Sequence, residues 1–159
     1  MPVVALFTAL VVAALAPARF APGPGWHVGA ARAHACVGVS AARCTQAESW
    51  AATVPWRDCP ECLPHRTLAA LPPDGIAMHL TVAVEDPPVG RASSSWPPRL
   101  HAGDLVAGME GVPSRYAVFQ RVARVGRREL FVWVFFGRSQ PTPAALRAAN
   151  AELRSVRIA

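Results

Sequence analysis

Residues 129–136, "ELFVWVFF", constrain the fold more than any other stretch of the chain. A strand points successive side chains to opposite faces, so a strand with one wet face alternates apolar and polar residues. After Glu129 this run is apolar at every position, on both faces. Such a strand belongs in the middle of a sheet, with a helix packed over it. Tyr116 to Arg124 supplies a second strand just upstream, and Gly126-Arg127 a turn between them, so the two make a hairpin.

The other elements follow from periodicity and punctuation. Ile76, Met78, Leu80, Val82 and Val84 alternate with Ala77, His79, Thr81 and Ala83, a period of two that predicts a strand with its large residues toward the core. Asp74-Gly75 turns into it. Pro64 to Leu71 predicts a short helix opened by Pro64 and ended by Pro72-Pro73. Thr142 and Pro143 open a last helix whose buried stripe is Leu146, Ala149 and Leu153. Residues 47–54 predict a short strand, 85–99 a Pro/Ser-rich loop, and 100–114 no long element. The order predicts an α+β domain: a mostly antiparallel sheet with a C-terminal hairpin and a packed C-terminal helix.

Residues 3–16, "VVALFTALVVAALA", are the most apolar run. Fourteen helical residues span about 21 Å, short of a bilayer core of ~30 Å, which suits the apolar region of a secretory signal. Ala16-Pro17-Ala18 offers a small-x-small cleavage site, although no Arg or Lys precedes the run. We therefore expect a signal-like leader over 1–18, an Ala/Pro/Gly-rich linker without regular structure over 19–35, and a single domain over 36–159. The expected location is outside the cytoplasm, at the cell envelope or beyond. An uncleaved membrane anchor formed by residues 3–16 is the alternative.

Four cysteines follow the leader: Cys36, Cys44, Cys59 and Cys62. An even count in an exported chain predicts two disulfides. Pairing Cys36 with Cys44 and Cys59 with Cys62 closes the shortest loops at least entropic cost, with the two other pairings open. Cys59 and Cys62 could also be half of a zinc site completed by Cys36, Cys44 or His65, but the seven residues between Cys36 and Cys44 are too many for a second tight knuckle.

Cys59-Pro60-Glu61-Cys62, the short helix after it and the Gly111-Val112-Pro113-Ser114 loop before the hairpin together resemble a thioredoxin-like fold over residues 47–154. That resemblance implies thiol–disulfide exchange, with Cys59 as nucleophile, Cys62 as resolving thiol and Pro113 as the cis-proline beside them. Pro64 and Pro72 confine the helix after the pair to about two turns, which weakens the dipole such a thiolate needs, so an inert structural pair is expected. The runs "TLAALPPDGIAMHLTV", "YAVFQRV…LFVWVFFG" and "PTPAALRAANAEL" resemble uncharacterised exported proteins of GC-rich actinobacteria over residues 67–154. The element order is similar to that of PsbP/Mog1-like domains, which implies a binding or assembly role.

All sixteen basic residues are arginine, the mark of a GC-rich genome, so a net charge of +6 does not by itself imply nucleic acid. Arg121, Arg124, Arg127 and Arg128 gather at the hairpin tip and form the candidate patch for an anionic partner. Phe131, Trp133 and Phe135 stripe one strand face and are expected to be core. His79 falls on the less apolar face of its strand, where a half-buried structural role is expected, and His101 and Asp104 accompany no nucleophile motif. Catalytic signatures such as Gly-x-Ser-x-Gly, a phosphate loop and paired helical histidines are absent from the sequence. We expect a non-catalytic binding or assembly domain with no cofactor and no metal. Its partner is expected in the envelope or outside the cell, with transient membrane contact through the leader.

Overall fold

The computed structural model describes residues 17–40, 43–85 and 94–158. Among these residues eight strands form one sheet: β1 (His27–Ala30), β2 (His34–Ala35), β3 (Cys44–Ala52), β4 (Ile76–Glu85), β5 (Ser94–Ser95), β6 (Val106–Met109), β7 (Val112–Val125) and β8 (Arg128–Phe136). The order across the sheet is β1-β3-β4-β8-β7-β5, with β2 also on β3 and β6 also on β7. Every pairing is antiparallel except β5 on β7. Helix α1 (His65–Ala70) precedes β4, and helix α2 (Pro143–Ser155) follows β8. The architecture is the expected α+β type, dominated by antiparallel sheet.

β8 lies between β4 and β7 and is covered on both sides. Leu130, Val132, Val134 and Phe136 pack with Ile76, Met78, Leu80 and Val82 of β4 and with Ala117, Phe119 and Ala123 of β7. Ala145, Ala149 and Leu153 of α2 close that layer. The Thr142 hydroxyl caps α2 by accepting from Ala145 N at 3.2 Å, and Pro143 supplies its first turn. On the opposite face a smaller core gathers Phe135, Ala77, Ala52 and Val118 under Leu68 of α1. The Tyr116 hydroxyl donates to Leu68 O at 3.0 Å, which fastens α1 to β7.

The aromatic stripe of β8 differs from expectation along its length. Phe135 is fully buried, whereas Phe131 and Trp133 are only half-buried. The reason is the size of the cover: α1 has six residues and shields the Phe135 end alone. The helix boundary also shifts, because Pro64 is the N-cap and the helix begins at His65.

The segment expected to be a linker without regular structure contains β1 and β2, and Ala18 and Phe20 are buried in the main core. Arg19 and Arg157 exchange backbone bonds of 2.8 Å in both directions. Ala, Pro and Gly disfavour strands in isolation, but β3 has an edge of backbone groups to satisfy, and β1 and β2 supply the partners. Ordered structure therefore begins well before Cys36. The apolar run 3–16 and most of the expected 85–99 loop lie outside the described residues. Among the described residues no helix is long and apolar enough to cross a membrane.

Where β8 ends, Gly137 N donates to Gly75 O at 3.0 Å, and a Cβ on Gly137 would overlap the Pro72 carbonyl. The turn into β4 and the exit from β8 can meet only with glycine there.

The two-sided burial of β8 sets the first expected outcome. Phe136→Ala should cost about 3–5 kcal/mol in a denaturant melt. A loss below about 1 kcal/mol would show that this face of β8 is not core.

Candidate functional site

The sheet face away from α2 carries a row of large side chains in register: Trp50 opposite His79, His79 opposite Trp133, and Trp133 opposite Gln120. Gly29 of β1 lies beyond Trp50, whose Nε1 would sit 2.7 Å from a Cβ at that position. Glycine lets the indole lie flat across the neighbouring strand.

The segment from Thr53 to Pro64 folds back over this row. Trp56 stacks on Trp50 at 5.7 Å between ring centres and on His79 at 6.2 Å. Asp58 staples the segment to α1, accepting from Arg66 N at 3.0 Å, Thr67 N at 2.8 Å and Thr67 Oγ1 at 2.6 Å. Partial burial pushes the Asp58 carboxyl up, but the bonds from Thr67 and Arg66 outweigh it and hold the group below its ordinary value. Farther along, Cys59 and Cys62 are joined in a disulfide, and both are exposed. His79 Nε2 donates to Pro60 O at 2.6 Å, which fixes the loop over the sheet and places the ring proton on Nε2.

Between loop and sheet lies a pocket of about 280 Å³. His79, Thr81, Trp133 and Phe135 form its floor, and Glu61, Cys62, Leu63 and Pro64 its wall. The lining combines aromatic and apolar side chains with the polar groups of Glu61, His79 and Thr81, a make-up that small-molecule sites share. Burial draws the His79 pKa below its ordinary value, against the pull of the Pro60 bond and the Glu48 charge, which favours the neutral ring at the pocket floor.

Beside the pocket lies a group of titratable side chains that sequence reasoning did not single out. Glu48, at the centre of β3, is 1% exposed. Its Oε2 meets His34 Nε2 at 2.8 Å, and its Oε1 accepts from Gln46 Nε2 at 3.0 Å. Glu61 Oε1 lies 3.4 Å from the same His34 nitrogen. Burial alone would lower the His34 pKa, but the Glu48 bond, the Ala35 bond and the two carboxylate charges raise it above its ordinary value. These three residues are a candidate metal-ligating set. The one sequence signal was a glutamate set among Ala47, Ser49 and Ala51 in a strand of small residues.

The remaining candidates separate. Cys36 bonds to Cys44 and Cys59 to Cys62, so no cysteine offers a thiolate to the zinc site that Cys59, Cys62 and His65 could otherwise have formed. Pro113 lies in β7 behind a trans peptide bond, not in a cis-proline loop. Of the four hairpin arginines, Arg121 and Arg124 are in ion pairs and do not share a face of the sheet. Arg121 pairs with Asp104 at 2.8 Å, and Arg124 pairs with Glu129. Arg121 shares the α2 face of the sheet with Phe119, whereas Arg124 and Glu129 lie on the other face. Alternation along the strand divides them. Positive charge gathers instead beside α2, where Arg99, Arg147 and Arg154 line a cleft with Asn150. His101 only closes the short turn at Ala102–Asp104.

Comparison of the chain with protein-family models, with curated proteins and with solved structures found no match.

The two histidines of the site should titrate in opposite directions. In a pH series followed by imidazole ring-proton NMR, His79 should titrate below the ordinary value near 6.5 and His34 above it. The reverse order would show that Glu48 is not the partner of His34 in solution.

Proposed function

We propose that the protein is an exported binding domain, braced by two disulfides, that takes a small ligand in the pocket at Trp133. The pocket itself carries this reading. A half-buried indole, an imidazole and a hydroxyl lie on the sheet, under a loop fastened to it, with a carboxylate on the wall. Such a site suits a molecule with one flat apolar face and a hydrogen-bonding edge, as a sugar ring has. The face stacks on Trp133, and Thr81 and Glu61 meet the edge. The disulfides agree with an oxidising compartment, and the apolar run at residues 3–16 agrees with export to one.

Saturation-transfer NMR with a panel of soluble mono- and disaccharides tests the reading. At least one sugar should bind, and Trp133→Ala should weaken it tenfold or more, about 1.4 kcal/mol, while keeping the far-ultraviolet circular dichroism of the parent. Equal binding by the variant, or no binding across the panel, would defeat the proposal.

A second reading rests on a separate observation: the Cys59–Cys62 disulfide is exposed, and Cys62 lies on the pocket wall. In that reading Cys59 and Cys62 exchange with other thiols. An insulin-reduction assay with dithiothreitol distinguishes the two. A structural disulfide leaves the wild type no faster than Cys59→Ser, whereas turnover above background that disappears in Cys59→Ser would make the protein a thiol–disulfide oxidoreductase.

A further inference from the structure

Three side chains from three separate elements converge next to the pocket. His34 comes from β2, Glu48 from the centre of β3, and Glu61 from between the bridged Cys59 and Cys62. Their donor atoms all lie within 4.8 Å of one another. His34 Nε2 is 2.8 Å from Glu48 Oε2 and 3.4 Å from Glu61 Oε1. A tetrahedral ion bound at about 2.0–2.2 Å holds its ligand atoms roughly 3.3 Å apart, so modest adjustments convert this set into a coordination shell.

The orientation of His34 is the telling detail. Its Nδ1 lies 2.9 Å from Ala35 O, and a carbonyl only accepts, so Nδ1 carries a proton. That leaves Nε2 facing two carboxylates. On a neutral ring the nitrogen presents a lone pair there, so the position calls for a positive centre. A single proton is shared well with one carboxylate, whereas a divalent ion meets both.

The surroundings also match a metal site. Imidazoles that bind metals commonly donate their other N–H to a backbone carbonyl, as His34 does to Ala35. The Gln46 amide occupies Glu48 Oε1 and leaves Oε2 for the ion. Glu48 is withdrawn from water, and a carboxylate in that position needs a compensating charge. The two disulfides hold the flanking ligands in place: Cys36, two residues after His34, is tied to Cys44 at the start of β3, and the second bridge encloses Glu61.

We propose that His34, Glu48 and Glu61 form a site for a first-row divalent cation, with Zn²⁺ the ion that one imidazole and two carboxylates suit best. Three protein ligands leave a fourth position open for water or a bound molecule. Glu61 also lines the pocket, so the ion would lie at the pocket rim. The proposal does not depend on the pocket taking a sugar.

Isothermal titration of the untagged full chain with ZnCl₂ tests it, after chelator treatment and with both disulfides intact so that no thiolate competes. The wild type should bind one Zn²⁺ per chain. Glu61→Gln should weaken binding at least tenfold, and because Glu61 is 57% exposed this variant keeps the fold. His34→Gln should weaken binding as much or more. Co²⁺ in place of Zn²⁺ should give the visible absorption of a four-coordinate N/O site, lost in Glu61→Gln. No saturable Zn²⁺ binding, or equal affinity in wild type and Glu61→Gln, would overturn the proposal.

Discussion

The structure depends on the burial of β8 from both sides. Leu130, Val132, Val134 and Phe136 need a cover on one face, and Phe135 and its neighbours need one on the other. α2 has thirteen residues and covers the first face fully. Among the described residues, the second face is covered chiefly by α1 and the segment that precedes it. The cover ends near Trp133, and the pocket lies where it ends. The candidate site is thus a consequence of unequal cover on a strand that is apolar throughout.

A cover so small is held by polar bonds as well as by apolar contact. Its own apolar contribution is Val54, Trp56, Leu63, Leu68 and Leu71, and polar fastenings add to it. Asp58 gathers two backbone N–H groups and a hydroxyl at the start of α1, His79 anchors Pro60 from below, and the disulfide closes the loop between them. Each fastening is local, and together they fix the position of Glu61. The groups that shape the pocket wall are therefore also those that keep the loop folded, and structure and site draw on the same residues.

Much of the framework was legible in the sequence. The alternation from Ile76 to Val84 marked β4, the run from Leu130 to Phe136 marked a central strand, and Thr142-Pro143 marked the start of α2. These segments carry their own signals, namely period, cap and turn. β1 and β2 carried none, because His27–Ala30 and His34–Ala35 are strands only through the edge that β3 offers them. Trp133 was misread as core because the length of its cover is a tertiary property, invisible along the strand. The His34–Glu48–Glu61 group was invisible for a related reason. Its members lie on β2, β3 and a loop, and sheet register and a disulfide bring them together, not a local spacing. Arg121 and Arg124 show the converse: near neighbours in sequence, they are divided between opposite faces by the strand's alternation.

β3 and β7 are the long strands on either side of the central pair, with nine and fourteen residues. Neither presents an uninterrupted outer edge among the described residues. β1 and β2 together cover the outer side of β3, and β5 and β6 that of β7, in pieces of two to four residues. Short, broken edges are poor templates for another chain to extend, which guards a sheet this apolar against fibre-like stacking at its margins. For the same reason they are poor docks for a peptide added as a strand. The breadth of the sheet lies in its faces, and the face away from α2 is the one that displays the rings of Trp50, Trp56 and Trp133.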